Sequence, residues 1–189
     1  MKNLLLAIIL GAMPLLASAT EDVKLGVVDM ERLFKNFYKT KIANSKLKKQ
    51  AETYKRYANK LSESLLKLQQ EFKELRDASQ NIAFTETQRE SKRLAAQDKY
   101  RQMQNKKLEL EQYNREKGLQ MRSQEAKIRK EIILEIRKTI AKYAKENNFT
   151  MIIDSSGRTF NDITSVVYFK TELDLTEKIL ECINKGATK

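Results

Sequence analysis

The chain has 189 residues, of which 37 are Lys or Arg and 25 are Asp or Glu, giving a formal net charge of +12. It contains no histidine and a single cysteine, Cys182. That composition removes the commonest general base, excludes zinc sites of ordinary type and an intramolecular disulfide, and argues against an enzyme.

Met1-Lys2-Asn3 is followed by an apolar run from Leu4 to Leu16 and by Ala17-Ser18-Ala19. A basic start, a short apolar core and a small-x-small exit describe a secretory signal peptide cut after Ala19. The run falls short of the ~20 residues of a membrane span, and Gly11 and Pro14 interrupt it. Residues 1–19 are therefore expected to be lost on export, which places the remainder in the periplasm.

Val23 to Val28 reads as a strand, with alternation at Val23, Leu25 and Val27. Asp29 fits a helix N-cap. Met30, Leu33, Phe34, Phe37 and Tyr38 follow at helical spacing, a face too wide for a two-helix seam, which should dock on a packed body.

Thr40 to Asn147 holds no proline and one glycine, Gly118. Leu47, Ala51, Tyr54, Ala58, Leu61, Leu65, Leu68, Phe72 and Leu75 alternate steps of four and three, the seam of a left-handed coiled coil. The pattern lapses over Ser79–Thr85, and Thr85-Glu86-Thr87-Gln88 resembles a capping box, so a hairpin tip is expected near Asn81–Phe84. On the returning helix Ala96, Tyr100, Met103 and Leu110 keep the spacing, with Lys107, Asn114 and Lys117 in the same register. A seam that turns polar, followed by Gly118, predicts loose packing there. Ile128, Ile132, Ile133, Ile136, Ile140, Tyr143 and Ala144 then form a wide stripe that should return the helix to the body.

Phe149–Ile153 and Ile163–Phe169 read as a second and a third strand, separated by turn chemistry at Asp154-Ser155-Ser156-Gly157. Asp174-Leu175-Thr176-Glu177 opens a final helix burying Leu175, Ile179, Cys182 and Ile183 and ending at Gly186. The expected organisation is a signal peptide at 1–19, a β-rich body from 20–38 and 148–189, and a helical hairpin from 39–147. A body of about sixty residues buries only ~60% of its unfolded surface and is marginal alone. Three strands leave two open edges, and a closed oligomer answers both problems.

Charge is segregated. Residues 39–147 carry 28 basic and 15 acidic residues, against three and four in 20–38 and five and six in 148–189. Basic arms imply an anionic partner reached through the electrostatic field. The candidate contact residues are Lys48, Lys55, Arg56, Lys60, Lys67, Lys73, Arg93, Lys99, Arg101, Lys106 and Lys107. No phosphate-cradling glycine loop or other cofactor motif is present, so no cofactor is expected. A basic hairpin can bind DNA non-specifically, but an exported protein has no use for a specific nucleic-acid site. A structural spacer or tether in the cell envelope is the competing reading, and it lacks an anchor in this sequence.

Gly26-Val27-Val28-Asp29-Met30-Glu31-Arg32-Leu33-Phe34, Ile152-Ile153-Asp154-Ser155-Ser156-Gly157, Val166-Val167-Tyr168-Phe169-Lys170 and Leu173-Asp174-Leu175-Thr176 occur in this order around the hairpin. Together they resemble the Skp/OmpH family of periplasmic chaperones over essentially all of the exported chain. The resemblance implies an α+β fold, in which a long antiparallel coiled-coil helical hairpin projects from a small three-stranded β body that trimerises into a barrel. Val23, Leu25, Val27, Ile153, Val167 and Phe169 are the body residues expected at that trimer. The implied partners are further copies of the chain, as a homotrimer, and unfolded outer-membrane β-barrel proteins, held without ATP in a cavity between the arms. The family's lipopolysaccharide-binding residues are not carried over to positions here. An anionic membrane or lipopolysaccharide surface stands as a partner class on charge alone.

Overall fold

Residues 23–187 are described by the structure, a computed structural model; the expected signal peptide lies outside them. The elements are strand β1 (Leu25–Val28), helix α1 (Met30–Asn36), helix α2 (Tyr38–Ser79), helix α3 (Glu86–Glu146), strand β2 (Met151–Asp154) and helix α4 (Thr176–Asn184), with a short 3-10 turn at Thr171–Leu173. The protein is mostly helical. Its α2 spans 42 residues and α3 spans 61, the latter about 90 Å at ~1.5 Å per residue. Among the described residues no helix is long and apolar enough to cross a membrane.

The helical spacing read from Met30 to Tyr38 is carried by two helices, with a break between the docking segment and the arm. Phe37 adopts extended backbone (φ −66°, ψ 129°) between α1 and α2, and its ring is 1% exposed. No glycine or proline marks the break; the core does. Phe37, Leu33, Ile136 and Ile179 are the fully buried apolar side chains where α1, α3 and α4 meet, each contributing about 1.5–3 kcal/mol by burial. The break leaves the first amide of α2 without a helical acceptor. Asn184 at the end of α4 supplies one: the Tyr38 backbone N–H donates to its Oδ1 at 3.0 Å.

β1 and β2 form a parallel pair with Leu25 opposite Met151 and Val28 opposite Asp154, so the whole hairpin is the crossover between them. Two strands are found among the described residues where three were expected. Residues 163–169 are not a strand: the loop folds on itself through Thr159–Ile163 and Gly157–Ser165 backbone bonds, and Arg158 and Thr164 form an isolated bridge. A strand is defined by its ladder: residues 163–165 turn back on 157–159 through a single bridge, and residues 166–169 join no ladder among the described residues. Val167 and Tyr168 are 89% and 81% exposed.

Turn and cap readings are met by specific bonds. Asp29 Oδ1 accepts from the Arg32 N–H at 2.8 Å, and Asp154 Oδ1 accepts from the Met30 N–H while Ser156 Oγ accepts from that of Glu31. The Asp154–Gly157 turn thus stitches the end of β2 to the start of α1. The final helix stops at Asn184, not Gly186, and Cys182 is half-buried where it was expected to be buried.

Gly26 has a packing reason. A Cβ there would stand 2.5 Å from Leu175 Cδ1 and 3.2 Å from the Phe149 ring, so Leu175 can cover the sheet only if residue 26 has no side chain. Gly26→Ala is expected to destabilise the protein by about 1–3 kcal/mol through overpacking, read as a lower urea midpoint. Adding Leu175→Ala should cost less than the two separate changes combined, because the second substitution removes the clash.

Candidate functional site

Contact pairs ascend along α2 as they descend along α3: Lys39 with Glu135, Tyr54 with Tyr113 and Phe72 with Tyr100, with Glu71 and Lys99 meeting beside the last. The turn between them is closed by the expected capping box, in which Thr85 Oγ1 accepts from the Gln88 N–H and Gln88 Oε1 accepts from that of Thr85. On α2 the seam read from sequence is the inner row. Leu61 is buried, and Leu47, Tyr54, Ala58, Leu65, Leu68, Phe72 and Leu75 are half-buried, with Ala51 alone exposed.

On α3 the register differs from the reading above. The inward row is Lys92, Ala96, Lys99, Met103, Lys106, Leu110, Tyr113, Lys117. Tyr100, Lys107 and Asn114, expected inside, are exposed. Starting from Ala96, a first step of three or of four both give heptads, and sequence spacing favours the one that gathers Tyr100 inward. Packing chooses the other, because it brings Tyr113 between two tyrosines of α2. Its ring centroid lies 4.7 Å from that of Tyr57 and 6.4 Å from that of Tyr54, the latter edge-on at 88°. Lys117 Nζ sits 5.1 Å over the Tyr54 ring and 5.8 Å over the Tyr113 ring. Such aromatic and cation–π contacts are each worth about 0.5–1.5 kcal/mol. The stretch expected to pack loosely therefore holds an aromatic cluster, and α3 runs through Gly118 without a break. Burial holds the Tyr113 phenol above its ordinary pKa.

Two ion pairs tie the helices together. Lys39 Nζ meets Glu135 Oε1 at 2.5 Å, and that hydrogen bond raises the Lys39 pKa. Lys99 Nζ meets Glu71 Oε2 at 2.7 Å and, by its hydrogen bond, holds the Glu71 carboxyl below the ordinary glutamate value.

The candidate basic residues separate into two groups. Lys67, Arg93, Lys99, Arg101, Lys106 and Lys107 each pair with a carboxylate, namely Glu71, Glu90, Glu71, Asp98, Glu109 and Glu111. Lys48, Lys55, Arg56, Lys60 and Lys73 are exposed and in no ion pair among the described residues. The division follows position along the arm. Residues 63–114, which make the tip half, carry ten basic and nine acidic residues; the root half (39–62 and 115–147) carries eighteen and six. Nearly the whole basic excess stands next to the body. Arg115, Arg122 and Arg129 of α3 belong to this root group and were missing from the sequence-derived set, which followed α2 and the seam. The signal was in the sequence, but it becomes visible only when the two helices are folded back and counted side by side.

The body residues sort by sheet face. Val28 and Ile152 point into the helical core. Leu25, Met151 and Ile153 occupy the other face at 40%, 55% and 38% exposure. Val23 precedes β1 and is exposed, Val167 is exposed, Phe169 is half-buried, and Val27 is buried at 5% within its own chain.

A long helical hairpin whose two ends are clasped by a small sheet-and-helix body is thus the class of molecule in hand. The chain belongs to the OmpH family: the family's sequence model, described as outer membrane protein (OmpH-like), matches residues 24–183. No curated protein matches the chain.

The Glu71–Lys99 pair carries a pH signature. Because the folded state lowers the Glu71 pKa, its contribution is complete above the ordinary glutamate value of 4.5 and is lost as pH falls through the lower folded value. The protection factors of tip-half amides, taken relative to the intrinsic exchange rate at each pH, should therefore fall on acidification in the wild type. Glu71→Gln should exchange faster at neutral pH and differ little from wild type once Glu71 is protonated.

Proposed function

We propose that this chain is a periplasmic holdase chaperone, active without ATP, that binds unfolded outer-membrane β-barrel proteins between basic arms and prevents their aggregation. The observation that carries the reading is family membership across residues 24–183, since the OmpH family is a chaperone family of the periplasm. Residues 1–19 would be removed on export, leaving 20–38 and 148–189 as the body and 39–147 as the arm.

The arm fits the task physically. It offers an excess of uncompensated cations at its root and isolated exposed apolar side chains such as Leu66, Ile82, Leu94 and Leu108 toward its tip. An unfolded chain presents both acidic and apolar groups, and a surface that contacts each weakly can hold many different sequences.

The working form in this reading is a homotrimer. Its support is the surface the single chain leaves bare: Leu25, Met151 and Ile153 on the outer sheet face, Phe160 in its turn, and Val167 and Tyr168 beyond it. A two-stranded sheet is marginal by itself, and further copies would give both the sheet face and the 166–169 stretch a partner.

Two measurements test the proposal. Light scattering on the exported protein should give the mass of three chains, and a monomer at micromolar concentration would remove the cavity on which the reading depends. Diluting a urea-denatured outer-membrane β-barrel protein into excess protein should suppress turbidity, with suppression weakening as salt rises. Unchanged aggregation would refute the holdase assignment.

A further inference from the structure

Seven residues make close to two turns of helix. Lys41, Lys48 and Lys55 therefore lie in one row along α2, and Arg115, Arg122 and Arg129 in one row along α3. The α2 row sits about 100° round its helix from the seam, one residue beyond Leu47, and at the root Arg129 stands likewise one residue beyond Ile128, while Arg115, midway between the inward Tyr113 and Lys117, lies toward the back of α3. Because the two helices run in opposite senses, the same rotation turns the α2 row and the root end of the α3 row, at Arg129, to the same side of the hairpin. The groove at the root agrees, for it is lined by Thr40 and Asn44 of α2 together with Arg129 and Arg137 of α3. All six row residues are exposed and in no ion pair among the described residues.

That groove, of about 980 Å³, continues the cationic face onto the body. Phe34, Ile133 and Ile140 give it an apolar lining, and Arg129 and Arg137 stand beside them. Thr40, 2% exposed, also lines it, and its hydroxyl has no hydrogen-bond partner. A buried hydroxyl without a partner is unfavourable by about 1–3 kcal/mol, and an incoming polar group would relieve it.

We infer that this face is a binding surface for extended acidic polypeptide segments: the two rows take Asp and Glu carboxylates, and the groove takes an interspersed aliphatic side chain with a backbone group on Thr40. The inference rests on the client-binding reading above and sharpens it by locating electrostatic capture at the arm's root and not at its near-neutral tip half. A polypeptide fits better than a nucleic acid. The ring in the groove, Phe34, is already covered by the Arg129 guanidinium at 4.8 Å, and Tyr54 and Tyr113 are engaged in the seam, so no row of free aromatic faces is offered for base stacking.

The test compares two charge-matched variants of the full chain: Lys48→Gln, Lys55→Gln, Arg115→Gln and Arg122→Gln at the root, and Lys67→Gln, Lys73→Gln, Arg101→Gln and Lys107→Gln toward the tip. Circular dichroism checks that both keep the wild-type helix content. The probe is a fluorescent peptide of interspersed Glu and Leu, with single-stranded DNA of the same charge as competitor. The root variant should bind the peptide about tenfold or more weaker and with a flatter salt dependence, and the tip variant about twofold weaker or less. Equal losses in the two variants, or wild-type affinity in the root variant, would overturn the inference, as would DNA displacing the peptide at equal concentration in physiological salt. Thr40→Val adds a readout independent of charge: it should leave helix content unchanged and weaken the peptide, and undiminished binding would remove the groove from the site. Peptide binding without any effect on barrel-protein aggregation would leave the surface standing and defeat the chaperone reading, so the two fail separately.

Discussion

Everything in this molecule hangs on a clasp some four side chains wide. Leu33, Phe37, Ile136 and Ile179 are buried where α1, α3 and α4 converge, and from that point two helices of 42 and 61 residues extend as an arm. Isolated long helices are poorly stabilised by propensity alone and depend on tertiary packing for direction. The clasp provides the direction, and the break at Phe37, capped from α4 by Asn184, sets the angle at which the arm leaves. The parallel strands do the same work on the other side, since closing them across the hairpin ties both of its ends to one sheet.

Along the arm the binding chemistry changes with distance from this clasp. Near the tip, basic residues are locally neutralised: of the tip-half candidates all but Lys73 have a carboxylate partner. Such exposed pairs add little stability, but they leave little net field. At the root the cations have few acidic neighbours, and their field is uncompensated. Between the two lies the cluster of Tyr54, Tyr57, Tyr113 and Lys117, which keeps the helices in register where the seam would otherwise be polar. The arm thus offers a nearly neutral, apolar-dotted surface toward its tip and a cationic one at its root.

Much of this was legible in the sequence. The 3.5-residue repeat from Leu47 to Leu75 placed the inner row of α2, and Thr85 with Gln88 placed the start of α3, because heptads and caps are local patterns with a direct geometric meaning. Family character was also legible, since the body motifs flank the hairpin in fixed order. The α3 register was not. With Lys and Asn at half of its candidate inner positions, both heptad phases bury similar chemistry, and the choice between Tyr100 and Tyr113 as the inward ring depends on what α2 presents opposite.

The sequence by itself determined a basic helical hairpin with capped ends, rooted in a small strand-containing body, because composition, periodicity and turn chemistry each act over a few residues. The tertiary structure decided the rest: that the chain breaks at Phe37 without a breaker residue, that Ile163–Phe169 stays outside the sheet, and that cations of α2 and α3 share one face at the root. Each of these depends on residues more than fifty positions apart being brought side by side. The break is a demand of the core, the orphaned segment reflects a ladder that needs a neighbour, and the shared face exists only once two helices run in opposite directions.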